Sequence, residues 1–230
     1  MTGSRNLKKK KSCQDFCDYM ITADGFLAAA LSDGCGSAMF ADLGARENVN
    51  AFLNFFRVYD LNNTETLSNK ALGSDVVYYC AKAQENLSMR IGTSLNELSA
   101  TLIGAVIFPK EIIIFHLGDG EVYAQKKNGE VFLASKPENI MGISNLTRFT
   151  TDKDAQKYIR VGRLNRDDIS SFCMCSDGTL VKMSKNNKIK FISEIFKKAA
   201  SDYKLSKLID TQKVREYGDD CSMISVWLDK

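Results

Sequence analysis

Four Asp-Gly dipeptides, at 24–25, 33–34, 119–120 and 177–178, constrain this chain more than any other feature. With 18 aspartates and 15 glycines in 230 residues, chance supplies roughly one such pair. Asp-Gly is a preferred hairpin dipeptide, because both residues tolerate the backbone angles of a tight turn. Asp24-Gly25 needs only that explanation, since it separates the strand-like runs Phe16–Ile21 and Phe26–Leu31. Asp33-Gly34 and Asp177-Gly178 differ. Each follows an apolar run, Phe26–Leu31 or Phe172–Cys175, and each leads towards a helical pattern. A carboxylate at the end of a buried strand is held rigidly, and the glycine beside it lets backbone or ligand come close. A further acidic pair, Asp219-Asp220, precedes the last strand-like run, Ser222–Leu228.

The remaining pattern is that of an antiparallel α+β chain. Residues 40–57 carry Ala45, Val49, Phe52, Leu53 and Phe56 at helical spacing, and a second helix over about 75–91 aligns Val76, Cys80, Ala83, Leu87 and Ile91. Leu102–Phe108 and Ile112–Leu117 read as strands joined at Pro109-Lys110. Glu121–Lys126 and Glu130–Ala134 form a hairpin on Asn128-Gly129. Residues 60–74 read as a polar loop, 135–170 as an irregular surface flap, and 188–215 as helical in two pieces. Residues 1–11, ending in Lys8–Lys11, read as a flexible basic N-terminus ahead of one domain over 12–230.

Composition removes several kinds of chemistry. The single histidine, His116, sits in an apolar run and reads as a core residue. There is no G-x-S-x-G elbow, P-loop or G-x-G-x-x-G. Seven cysteines, an odd number without a C-x-x-C, read as free thiols of a reducing, cytoplasmic compartment. A net charge of +3 gives no argument for nucleic acid. No apolar run is long enough to span a membrane, and no secretory leader is visible. The chemistry left to the chain is that of carboxylates. Several carboxylates brought together repel one another, and they either hold protons or recruit a cation. Oxygen-only ligands select hard ions, Mg²⁺ or Mn²⁺, which can activate water towards phosphorus without a histidine.

Six short stretches, in order, carry a resemblance. They are Gln14-Asp15, Leu31-Ser32-Asp33-Gly34-Cys35-Gly36-Ser37, Ser99-Ala100-Thr101-Leu102, Leu117-Gly118-Asp119-Gly120-Glu121-Val122-Tyr123, Cys175-Ser176-Asp177-Gly178 and Gly218-Asp219-Asp220-Cys221-Ser222. Together they resemble the motifs of the metal-dependent protein phosphatases of type 2C, the PPM family, in a divergent bacterial form. The resemblance implies a four-layer α-β-β-α sandwich, with two packed antiparallel sheets between helices. It implies hydrolysis of phosphoserine and phosphothreonine by in-line attack of a hydroxide bridging two Mg²⁺ or Mn²⁺ ions, with a third ion in some members. Asp33 would bridge the ions, Gly34 would offer its carbonyl, and Asp177 and Asp219 would complete the ligands. Asp15 would be a ligand or would support one, and Asp119 would help hold the third ion. Asp220 takes the slot of the family's Asn. Lys10 stands where a substrate-phosphate arginine is usual, and Cys35 where some members carry an acid histidine. Cys35 is then either that acid or a small structural thiol. The partner implied is a phosphorylated protein, opposing a Ser/Thr kinase. Two alternatives stand beside this reading: an inactive relative that binds a phosphorylated partner, and a hydrolase of small phosphoesters.

Overall fold

The computed structural model describes residues 1–58, 68–138, 147–198 and 218–228. Strands β1 (Asp15–Ile21) and β2 (Leu27–Asp33) form the hairpin expected at Asp24-Gly25, where Gly25 takes a φ of +80°. Strands β3 (Leu102–Ile107) and β4 (Glu111–Leu117) continue the same antiparallel sheet, and β7 (Arg160–Asn165) closes it in the order β1-β2-β3-β4-β7. The second sheet runs β6-β5-β8-β9, from β5 (Glu121–Lys126), β6 (Val131–Ser135), β8 (Ile169–Cys175) and β9 (Met223–Trp227).

The strands that read as continuous apolar runs are those buried on both faces. All six residues of β3 are buried. Their inner side chains, with Ala29, Leu31, Ile112, Ile114, Val122, Phe172 and Met174, form the core between the sheets. Helices α2 (Ala41–Val58) and α3 (Asn69–Ile91) cover the outer face of the five-stranded sheet. The whole stripe expected on α2 is buried, and Phe52 and Phe56 set their rings 5.5 Å and 5.4 Å from Phe115. Each such phenylalanine contributes roughly 2–3 kcal/mol by leaving water. Helix α5 (Lys185–Lys198) covers the other sheet through Phe191, Ile192, Ile195 and Phe196. The result is the α-β-β-α sandwich.

Four sequence readings need correction or restriction. Residues 160–165, placed in a flap, are the edge strand β7 paired with β4. Most of its residues are only half-buried, so the strand lacks an apolar signature. Of the flap reading, residues 139–146 lie outside the described residues, as do 60–67 of the 60–74 loop and 199–215 of the last helical segment. Helix α3 begins at Asn69, capped by Ser68, whose hydroxyl accepts from Ala71 N at 3.2 Å. Its expected stripe fails at the C-terminal end, where Gln84 and Ser88 are buried and Ile91 is 39% exposed. That end packs on polar backbone, with Gln84 Nε2 donating to Leu98 O at 2.9 Å. Residues 4–8 form a short helix, α1 (Ser4–Lys8), and the segment is tied down rather than loose. Met1 donates its terminal amine to Cys221 O at 2.6 Å, and Gly3 N and Asn6 Nδ2 both donate to Asp220.

Candidate metal centre

The hairpin register sets Asp15 directly opposite Asp33, at the open end of β1 and β2. Like charges in cross-strand register repel. Asp33 is fixed by its backbone: its N–H donates to Thr101 Oγ1 at 3.0 Å, and Thr101 N donates to Asp33 O at 2.8 Å. Gly34 is required here by close packing. A Cβ on it would stand 2.7 Å from both Gln14 O and Ala41 O.

Asp177 begins the four-residue helix α4 (Asp177–Leu180) directly after β8. Ser176 locks this turn to the approach of β9. Its N–H donates to Ser222 O, and Ser222 N donates to its hydroxyl, both at 3.0 Å. Gly178 permits the contact, since a Cβ there would stand 2.0 Å from Asp220 O. Asp177 and Asp219 are thereby brought to the same strand end as Asp15 and Asp33. Asp119 enters from the turn between β4 and β5.

These carboxyls act on one another. Burial pushes Asp15 up to about 7, against the lowering effect of nearby Ser176 and Asp33, and Asp220 and Asp177 raise it further. Burial holds Asp33 well above the carboxylate range, with Asp15, Asp177 and Asp119 adding to the effect. Asp119 rises to about 7, chiefly by burial and then by Asp177. Asp219 also rises, by burial and Asp177, while Arg5 opposes the shift. Asp177 therefore acts on all four others.

Both Asp15 oxygens are buried, and among the described residues neither makes a hydrogen bond of normal geometry. A buried, unpartnered carboxylate costs several kcal/mol unless it is protonated or meets a cation. The donor set is all oxygen, which fits a hard divalent ion. No three acidic, histidine or cysteine side chains among the described residues already meet as a closed cluster.

Of the other positions singled out in the sequence, Lys10 is exposed just after α1, with a φ of +55°. Cys35 is half-buried, its Sγ 3.1 Å from Ser37 Oγ and its N–H bonded to Ser99 O. His116 is fully buried, with Nδ1 2.7 Å from Ser135 Oγ. Burial and the nearby Arg160 push its pKa down to about 3, so it is a neutral core residue.

Two features of the site are not legible in the sequence. Asp220 accepts from Gly3 N, Asn6 Nδ2 and Gln14 N at 2.6–2.8 Å, so it anchors the N-terminal segment beside the site. That anchoring carries Arg5 to the rim, where its guanidinium lies 4.0 Å from Asp219. Only the closeness of Arg5 to Gln14-Asp15 in the chain could have suggested it.

The family profile described as Protein phosphatase 2C matches residues 2–211. None of the curated proteins matches the chain significantly. Among solved structures, the serine/threonine phosphatase Stp1 from Staphylococcus aureus superposes with a TM-score of 0.72 at 12% identity, covering 100% of this chain and 93% of its own. The catalytic domain of the serine/threonine phosphatase PstP, solved with two manganese ions, gives 0.67 at 14% identity, covering 93% and 90%. RsbX, solved with magnesium, gives 0.57 at 16% identity, covering 94% and 87%.

Proposed function

The chain belongs to the protein phosphatase 2C family, and from that premise we propose that it is a metal-dependent phosphoprotein phosphatase acting on phosphoserine and phosphothreonine. One observation carries the metal dependence: Asp15 is buried with neither oxygen in a hydrogen bond of normal geometry among the described residues, and it lies beside Asp33, Asp177 and Asp220. In this reading Asp33, the Gly34 carbonyl, Asp177 and Asp219 hold two Mg²⁺ or Mn²⁺ ions. Asp15 holds or backs one of them, and Asp119 a third, weaker one. When bound, such ions neutralise phosphoryl oxygens and lower the pKa of water.

The chain's own residues do the rest. Arg5, free to leave Asp219 once that carboxylate is engaged, offers a planar fork to the substrate phosphate. Lys10, on the same segment, adds a point charge. Hydrolysis adds a water oxygen to phosphorus as the seryl or threonyl oxygen leaves with a proton. The contact of Cys35 with Ser37 supports a structural thiol, so solvent supplies that proton. The phosphorylated partner is then the substrate of an opposing Ser/Thr kinase. Seven free cysteines fit a reducing, cytoplasmic setting, and no helix among the described residues is long and apolar enough to cross a membrane.

The test compares substrates. Phosphate release is measured with Mn²⁺ from phosphoserine, phosphothreonine and phosphotyrosine peptides and from a small aryl phosphate. Release from the first two, well above the others, is expected. Efficient turnover of only the aryl phosphate would favour a small-phosphoester hydrolase. No release from any, with Mn²⁺ still bound, would favour a phospho-binding relative.

A further inference from the structure

Behind Asp33 lies a buried polar network. Asn48 on α2, Gln84 on α3 and Thr150 are each no more than 1% exposed, and none is charged. The Thr150 hydroxyl accepts from Asn48 Nδ2 at 2.8 Å and donates to Gln84 Oε1 at 2.7 Å. Asn48 Nδ2 also reaches Thr101 O at 3.1 Å. Gln84 Nε2 donates to Leu98 O, and Thr150 N donates to Ala100 O at 3.1 Å. Thr151 adds a bond to Ser99 Oγ at 2.9 Å. Four consecutive residues, 98–101, are thus gripped from one side by three separate parts of the chain.

The other side of that segment carries the site. Thr101 N donates to Asp33 O and Thr101 Oγ1 accepts from Asp33 N, Ala100 pairs with Gly34, and Ser99 O accepts from Cys35 N. What the network supplies is a fixed location, because each buried amide and hydroxyl is satisfied in only one arrangement.

We propose that Asn48, Gln84 and Thr150 are positioning residues, which act through 98–101 to hold the Asp33 carboxylate and the Gly34 carbonyl in the geometry that binds metal. The proposal rests on the metal-dependent reading above. None of the three side chains need touch substrate or ion. Carboxylates that repel one another drift apart unless their backbone is fixed, so loosening the brace lowers metal affinity before it lowers peptide affinity.

The experiment is a Mn²⁺ titration of the purified full chain by calorimetry, repeated as Mn²⁺ dependence of phosphopeptide hydrolysis. Thr150→Val is isosteric and removes the shared hydroxyl, and Thr150→Ser keeps it. Thr150→Val is expected to raise the Mn²⁺ dissociation constant and the half-activating concentration about tenfold, with the peptide KM at saturating Mn²⁺ unchanged. Thr150→Ser should stay within about twofold of the parent. A folded Thr150→Val with the parent's Mn²⁺ constant overturns the proposal and leaves the network a purely structural one. If Thr150→Val does not fold, Gln84→Met carries the test. A shift of about threefold or more supports the proposal, and an unchanged constant overturns it. The parent protein separates the two readings: if it binds no Mn²⁺, the metal-dependent function falls, and this inference with it.

Discussion

Asp15→Asn should make the metal-free protein more stable, and the size of the effect follows from its surroundings. The folded chain holds the Asp15 carboxyl at about 7 against an ordinary 3.8, chiefly through burial. Between those values the folded state keeps a proton that the unfolded state has lost. Stability therefore falls as pH rises through that window, and stays low above it. The displacement corresponds to roughly 4 kcal/mol at pH 8. For a chain of this length, 1 kcal/mol moves the melting temperature by about 2–4 °C. Asparagine removes the charge and turns its amide donors towards the carboxylates of Asp33 and Asp177. In EDTA at pH 8, the variant should melt roughly 10 °C above the parent, and at pH 5 the gap should shrink to about a third of that. Saturating Mn²⁺ should reverse the order by stabilising the parent more than the variant. Thermal unfolding by circular dichroism at both pH values tests this. A variant that melts at or below the parent at pH 8, or a gap independent of pH, would show that the buried Asp15 charge does not destabilise the metal-free fold.

Three shorter predictions concern two neighbouring acids and the histidine. Asp220→Ala strips the acceptor from Gly3 N, Asn6 Nδ2 and Gln14 N and should cost at least about 3 kcal/mol in urea unfolding. Asp219→Ala, half-exposed at its rim position, should leave urea stability nearly unchanged while weakening Mn²⁺ binding in calorimetry. His116, held down to about 3, should show no imidazole titration between pH 5 and 8 by NMR, and the activity profile should lack a histidine limb.

The parts of this molecule that could be read from the sequence are those governed by local rules. Apolar runs ending in Asp-Gly mark Asp33 and Asp177 because strand burial and turn chemistry leave adjacent traces. The stripe of α2 is legible because its partners are apolar throughout. The stripe of α3 misleads at Leu87 and Ile91, because the surface it meets there is backbone carbonyl and Gln84 and Ser88 take the buried places. Strand β7 is illegible because an edge strand under a helix is half-wet and carries Gly162 and charged Arg160 and Arg163. Asp220 and Asn6 are 214 residues apart, so their bond leaves no local mark. The Asn48–Thr150–Gln84 network is hidden for the same reason, as isolated polar residues in helices and loops ordinarily face water.

If the carboxylates around Asp33 form a divalent-cation site for phosphoester hydrolysis, their loss must abolish metal-dependent turnover. The most direct test is phosphate release from a phosphothreonine peptide, with and without Mn²⁺, by the parent, Asp33→Asn and Asp177→Asn. Release should require Mn²⁺ in the parent and fall at least about a hundredfold in both folded variants. Release that persists in EDTA, or that survives in Asp33→Asn, would contradict such a site.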